Sequence, residues 1–168
     1  VADSAGGQLA ASIGGAHVDW LLEHRSPDDA VRVVHRVTAI AQDMPEAWWL
    51  AAQVHRKLND KKSAAEASLK AARLFSQAGA VTEEESCYRD ALEEFPDDKG
   101  VLETLAFFYE RERRLQEAVE MMRRLAALAA KEEDPDAAVK WLGRLVEHAA
   151  ADVPAREHLV EQLLALGR

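Results

Sequence analysis

Six histidines, one cysteine and several acidic clusters are the residues of this 168-residue chain whose types could do chemistry. His17, His24, His35, His55, His148 and His158 contain no pair at the i, i+4 spacing that lets two imidazoles share a metal on one helix face. No HExxH stretch occurs either. Cys87 would need positive surroundings to become a nucleophilic thiolate, yet the preceding turn, Thr82–Glu85, is acidic. A lone cysteine also rules out an internal disulfide and a cysteine-based metal site. Gly6-Gly7 and Gly14-Gly15 match neither phosphate-cradling fingerprint. Asp28-Asp29, Asp97-Asp98 and Glu83-Glu84-Glu85 stand at helix starts, where the helix dipole favours acids without any catalysis. The residues therefore predict no catalytic group, no metal and no cofactor.

Aromatic residues are the more informative candidates. Phe107, Phe108 and Tyr109 are consecutive, and successive helical residues turn by about 100°. One buried stripe cannot hold all three. Trp48-Trp49 poses the same problem. Either these helices are buried on two sides, or Phe107 and Trp49 face a partner. His55 falls where Phe75 and Tyr109 stand in the alignment below, which predicts a packed core histidine.

Composition bounds the partner. A formal net charge of -9 lacks the clustered Lys and Arg that phosphate contacts require, so no nucleic acid is expected. No run is long and apolar enough to span a membrane. One cysteine suits a reducing, cytoplasmic setting. The chain opens with Val1 rather than Met, which suggests a fragment of a longer protein; a periplasmic or membrane-anchored protein with its leader upstream fits the same residues.

The elements that must position these side chains are helices. Ala, Leu, Glu and Arg dominate, β-branched residues are few, and no stretch alternates in the strand period. Glycines over residues 1–15 predict a flexible segment, followed by a single helical domain over 16–168. Gln8–His24 reads as a first helix through Val18, Leu21 and Leu22. Ser26-Pro27 starts a second, and Pro45 a third. Asn59-Asp60 separates the third from Lys61–Gln77, which Gly79 ends. Thr82 and Glu85 suggest a capping box for a helix running to Phe95. Val101–Glu112, Leu115–Lys131, Pro135–His148 and Val153–Leu166 complete about nine helices.

Two internal offsets organise them. At 34 positions, Ala71, Ala72, Phe75, Gly79, Tyr88, Ala91 and Pro96 stand over Leu105, Ala106, Tyr109, Arg113, Met122, Leu125 and Ala130. Small residues fall under small and bulky under bulky, apart from Arg under the turn Gly and Ala under the Pro. This pattern resembles the tetratricopeptide repeat, a helix-turn-helix unit with Gly or Ala in its first helix, Ala in its second and Pro at its end. At 54 positions a three-helix rhythm of short, long and medium recurs. It relates Trp48, Leu102 and Arg156, then Ala52, Ala106 and Val160, and the pairs Ala64/Ala118, Asp98/Asp152 and Val34/Tyr88. Each long helix thus reads equally well as the second helix of one repeat or the first of the next.

The resemblance implies an all-α solenoid, a superhelix of antiparallel hairpins whose concave groove holds a peptide, a helix or another protein. Taking Ala65–Asp98 and Lys99–Glu132 as units, Arg73 aligns with Phe107, Gln77 with Arg111 and Leu69 with Glu103. Arg73, Gln77, Glu103, Phe107, Glu110 and Arg111, with Trp49, are the expected partner-binding residues, and Arg73 is expected beside Phe107. Leu69 and Glu103 occupy positions that match the family's basic clamp for C-terminal peptides, and neither is basic. The alternative is a structural segment that self-associates or joins a larger assembly through Leu159, Leu163 and Leu166 of the last helix. A third reading is an enzyme's regulatory domain, or an enzyme whose site the residues do not reveal.

Overall fold

A computed structural model of the chain describes Trp20 and residues 27–167. Among them there are eight α-helices and no strand: α1 (Pro27–Ile40), α2 (Pro45–Lys57), α3 (Lys61–Ala78), α4 (Val81–Glu94), α5 (Lys99–Arg111), α6 (Leu115–Lys131), α7 (Pro135–His148) and α8 (Val153–Ala165). The segment expected to be flexible over 1–15 and the helix expected over Gln8–His24 lie outside the described residues, except that Trp20 is helical. The chain divides at Pro96 into two compact units, α1–α4 and α5–α8. Within each, every helix packs on the next, and short loops turn the chain back on itself.

The 54-residue rhythm is the frame of the fold. Helix starts advance by 18, 16 and 20 residues, and then by the same three steps again. The turns follow it. Asn59, Arg113 and Gly167 all adopt left-handed backbone, with φ of 57°, 60° and 68°, and lie 54 positions apart; Gly79 (72°) and Glu133 (56°) repeat the spacing. After four of these helices the same closure appears, a backbone N–H reaching the carbonyl five residues back: Asp60 to His55, Ala80 to Phe75, Arg114 to Tyr109 and Asp134 to Ala129. This is the Schellman-type end, which satisfies orphan carbonyls through one left-handed residue. Arg113 beneath Gly79 is therefore the same turn made with a costlier residue.

Helix starts are set by aspartate. Asp60, Asp98, Asp134 and Asp152 each accept the backbone N–H three residues on, at 3.2, 2.9, 3.0 and 3.1 Å. Each such cap contributes about 1 kcal/mol. The capping box expected from Thr82 and Glu85 does not form. The left-handed Gly79 leaves a single linking residue, so Ala80 takes the cap position without a side-chain bond and Thr82 is already inside α4.

Alanine sets the packing distance. Ala47, Ala52, Ala64, Ala71, Ala72, Ala91, Ala106, Ala118 and Ala138 have no exposed surface. A methyl at the crossing point lets two backbones approach closely, and a large residue nearby fills the neighbouring groove. Phe75, Tyr88, Leu105, Tyr109, Met122 and Leu145 are those fillers, all buried. Fully burying a side chain of that size contributes about 1.5–3 kcal/mol.

Arg113→Gly should stabilise the second unit by about 0.5–1 kcal/mol, by removing the left-handed penalty on a residue with a Cβ. Urea unfolding checks it, and an unchanged or lowered midpoint would contradict the shared-turn account.

Candidate functional site

In the second unit the side chains of α5 and α7 meet along one face. Glu103, Phe107 and Glu110 of α5 oppose Lys140, Arg144 and His148 of α7. Lys140 Nζ lies 3.2 Å from Glu103 Oε1. Glu110 receives both Arg144 and His148, each at 2.5 Å. Between the charges, Phe107 packs on buried Trp141 with ring centroids 6.0 Å apart, and the Arg144 guanidinium lies 4.5 Å from the Phe107 centroid. Phe107 nevertheless stays 43% exposed, while Phe108 and Tyr109 are buried. The three consecutive aromatics thus divide between core and surface. Arg111 is exposed, its guanidinium 5.0 Å from the Phe108 ring.

Burial pushes the Glu110 carboxyl up, but the hydrogen bonds and charges of Arg144 and His148 outweigh it and hold it below the ordinary glutamate range. The carboxylate form is the one this face requires.

The first unit carries the same arrangement with its charges exchanged. Arg56 of α2 sits between Asp90 and Glu94 of α4, at 3.4 and 3.0 Å. These three positions are those of Glu110, Arg144 and His148 moved back by 54. Burial works against the Arg56 charge, and Asp90 with Glu94 more than restores it.

No such bridge crosses from α1 to α3 among the described residues. An open cleft of about 480 Å³ lies there, floored by Trp48 and Ala51 of α2 and walled by Val34 and His35 of α1 and Ala67 and Lys70 of α3. Buried His55 lines it too, its ring 6.3 Å from that of His35 and its Nδ1 3.3 Å from Asp60. His55 is thus the packed histidine the alignment predicts.

Arg73 and Gln77 are exposed on α3, one and two turns beyond Lys70 on the same stripe. Trp49 is 38% exposed on α2, whereas Trp48 is half-buried and donates its indole N–H to the Gln42 carbonyl at 2.8 Å. Arg73, Gln77 and Trp49 therefore belong to the first unit, and Glu103, Phe107, Glu110 and Arg111 to the second. Leu159 and Leu163 of α8, and Leu166 just after it, are half-buried; the exposed large apolar residues of the helix are Val153 at its start, Val160, 54% exposed, and Leu164, 70%.

Sequence reasoning missed the α7 side of the second-unit face. A signal was present, since Trp141 and Arg144 stand 34 positions after Phe107 and Glu110 and extend the repeat columns by one row. It also missed Glu84, a carboxylate only 2% exposed at the position of fully buried Ala118 one repeat on. Cys87 is buried, and its thiol is pushed up to about 12, chiefly by burial and then by Asp90. Such a thiol is a packing group at neutral pH. Among the described residues no cluster of three or more His, Cys, Asp or Glu could hold a metal, and no helix is long and apolar enough to cross a membrane.

No family model matches the chain, and no curated protein matches its sequence. Solved structures with similar helix arrangements include MamA from residue 41 onward from Desulfovibrio magneticus, 16% identical over 92% of this chain and 93% of that one, with a TM-score of 0.43. A tetratricopeptide repeat protein from Parabacteroides merdae is 12% identical over 95% of this chain and 74% of its own, at 0.32. A thermophilic protein of the same repeat class from Thermus thermophilus is 20% identical over 94% and 99%, at 0.31. The consecutive helix hairpins, closed by repeated left-handed turns and packed through alanine, make this chain an all-α, tetratricopeptide-like helical repeat protein.

Glu110→Gln should lower stability by about 1–3 kcal/mol at pH 7, by leaving Arg144 and His148 without their charged acceptor. Because the folded carboxyl titrates below its unfolded value, this stabilisation is present above the ordinary glutamate range and is lost as pH falls through the depressed value. Urea unfolding of both proteins at pH 7 and pH 3 should show the gap closing. A gap that widens on acidification would contradict the ion-triad assignment.

Proposed function

We propose that this chain is a non-catalytic scaffold that binds a protein or peptide partner along the exposed side chains of its repeat helices. The observation that carries the reading is Phe107. A large aromatic ring is left nearly half exposed while its position is held by Trp141 beneath it and Arg144 beside it. An aromatic anchor presented in a fixed position loses little conformational entropy on binding, which is the composition and geometry of an interface hot spot. Glu103, Glu110 and Arg111 supply the polar surroundings of that anchor in the second unit, and Arg73, Gln77 and Trp49 offer polar and aromatic side chains on the first. The net charge of -9 disfavours nucleic acid as the partner. A cytoplasmic setting accords with the single buried thiol.

Exposed Val160 and Leu164 favour a second reading, self-association or docking into a larger assembly through α8. In the 54-residue frame Val160 follows Ala52 and Ala106, both fully buried. Among the described residues this position is buried twice and exposed the third time.

One experiment separates the two. Affinity capture from extract of the source cells is run with the native chain and with the Phe107→Ala, Arg73→Glu and Leu164→Glu variants. The scaffold reading expects Phe107→Ala and Arg73→Glu each to recover at least tenfold less partner, a cost of about 1–2 kcal/mol, with melting temperatures close to native. Loss of capture in Leu164→Glu alone would transfer the function to α8. Full capture by all three would contradict both readings.

A further inference from the structure

The cleft between α1 and α3 is a place in the first unit where the shared frame is built with smaller side chains. The frame itself is the same, since α1, α2 and α3 begin 54 residues before α4, α5 and α6. Where the later helices carry Tyr88, Leu92, Leu105, Tyr109 and Met121, the cleft has Val34, Thr38, Ala51, His55 and Ala67. Trp48, opposite Leu102, is the one lining position that runs the other way. Bulk has been removed from both walls and part of the floor. The apolar lining that remains is an indole, alanine methyls and a valine, which water solvates poorly and a planar apolar group would cover well.

The rim has a sign. Lys70 lies 5.8 Å over the Trp48 ring, Arg73 follows one turn later, and neither has an acidic partner among the described residues. His35 adds a third nitrogen base to the rim, and Glu66 is its acid. The surrounding segment is unusual for this chain. Residues 27–78 hold eight Lys and Arg against six Asp and Glu, a formal +2 within a total of -9. A partner segment with acidic residues would be drawn to this end and repelled elsewhere.

We propose that the α1–α3 cleft seats one aromatic side chain from an internal acidic segment of the protein partner, with the ring against Trp48, Ala51 and Ala67 and the flanking carboxylates against Lys70 and Arg73. This deepens the scaffold reading and rests on it. The cleft takes the ring that its own helices do not supply, and the rim cations set the charge of the residues on either side.

The test uses synthetic peptides and the full chain. The probe is fluorescein-labelled Glu-Asp-Phe-Asp-Glu with a blocked C-terminus; a second peptide has Ala for Phe, and a third has Lys for every acid. Binding is read by anisotropy, and its position by amide shifts of nitrogen-15-labelled protein. The Phe peptide should bind and shift the Trp48 indole and the Ala51 and Ala67 amides, with the Ala and Lys peptides at least tenfold weaker. The double variant Ala51→Leu, Ala67→Met, which restores the side chains found 54 positions later, should keep its melting temperature and lose at least tenfold in affinity. Thr38→Leu is the second filling variant should the double variant fail to fold, and Lys70→Glu should weaken binding most at low salt. Equal binding of the Phe and Ala peptides, undiminished binding by the filled variants, or no binding at millimolar peptide would each overturn the proposal. Partner capture distinguishes its failure from that of the parent reading. A filled variant that still captures a partner sensitive to Phe107→Ala removes the cleft and leaves the scaffold.

Discussion

The structure depends on how closely antiparallel helices can approach, and alanine decides that distance. On α2, α3, α5 and α6 many of the fully buried residues are Ala: Ala52, Ala64, Ala71, Ala72, Ala106 and Ala118. Each methyl contributes little by its own burial. Its value lies in bringing Phe75, Leu105, Tyr109 and Met122 into contact range of the neighbouring helix, where dispersion and burial act. A bulky or charged residue at any of these points would force the pair apart, because a close-packed interior has no slack to absorb it. Glu84 is the informative departure, a buried carboxylate where the next repeat has Ala118.

Close approach of consecutive helices leaves a gap between alternate ones, and the chain treats that gap in two ways. Between α2 and α4, and between α5 and α7, it is bridged by three charged or titratable groups at matching positions. The signs are opposite in the two places, so what is kept is the complementarity rather than the residues. Such partly buried groups add modest net stability but make a wrong register costly, because any slip strands a desolvated charge. Between α1 and α3 no bridge stands, and the gap remains an open cleft. Bridged gaps present a fixed surface, as Phe107 shows. The unbridged gap offers a recess.

Much of this was legible in the residues. The proline and aspartate starts, the Gly79 stop and the 54-residue rhythm all follow from local chemistry that acts within a few positions, and α6 and α7 have the bounds their sequences predict. Arg113 was harder, since nothing about an arginine announces a left-handed turn; only its place under Gly79 does. The failed capping box shows a tertiary constraint overriding a local signal, because the turn at Gly79 fixed the start of α4 before Thr82 could cap it. The site was half legible. An aromatic run too dense for one stripe pointed to Phe107, but its support by Trp141 and Arg144 depends on contacts between alternate helices that no local rule reports. The cleft was invisible for the same reason. Small residues on α1, α2 and α3 acquire meaning only when three helices are placed together.

The central claim is that partner recognition uses exposed side chains of α1, α2 and α3 in the first unit and of α5 in the second, while α4 and α6 serve the packing. Hydrogen–deuterium exchange of the chain, alone and with its captured partner, addresses this most directly. Slowed exchange on partner binding should fall in α1, α2, α3 and α5, with α4 and α6 unchanged. Protection confined to α8 or to α4 and α6, with α1, α2, α3 and α5 unaffected, would contradict it.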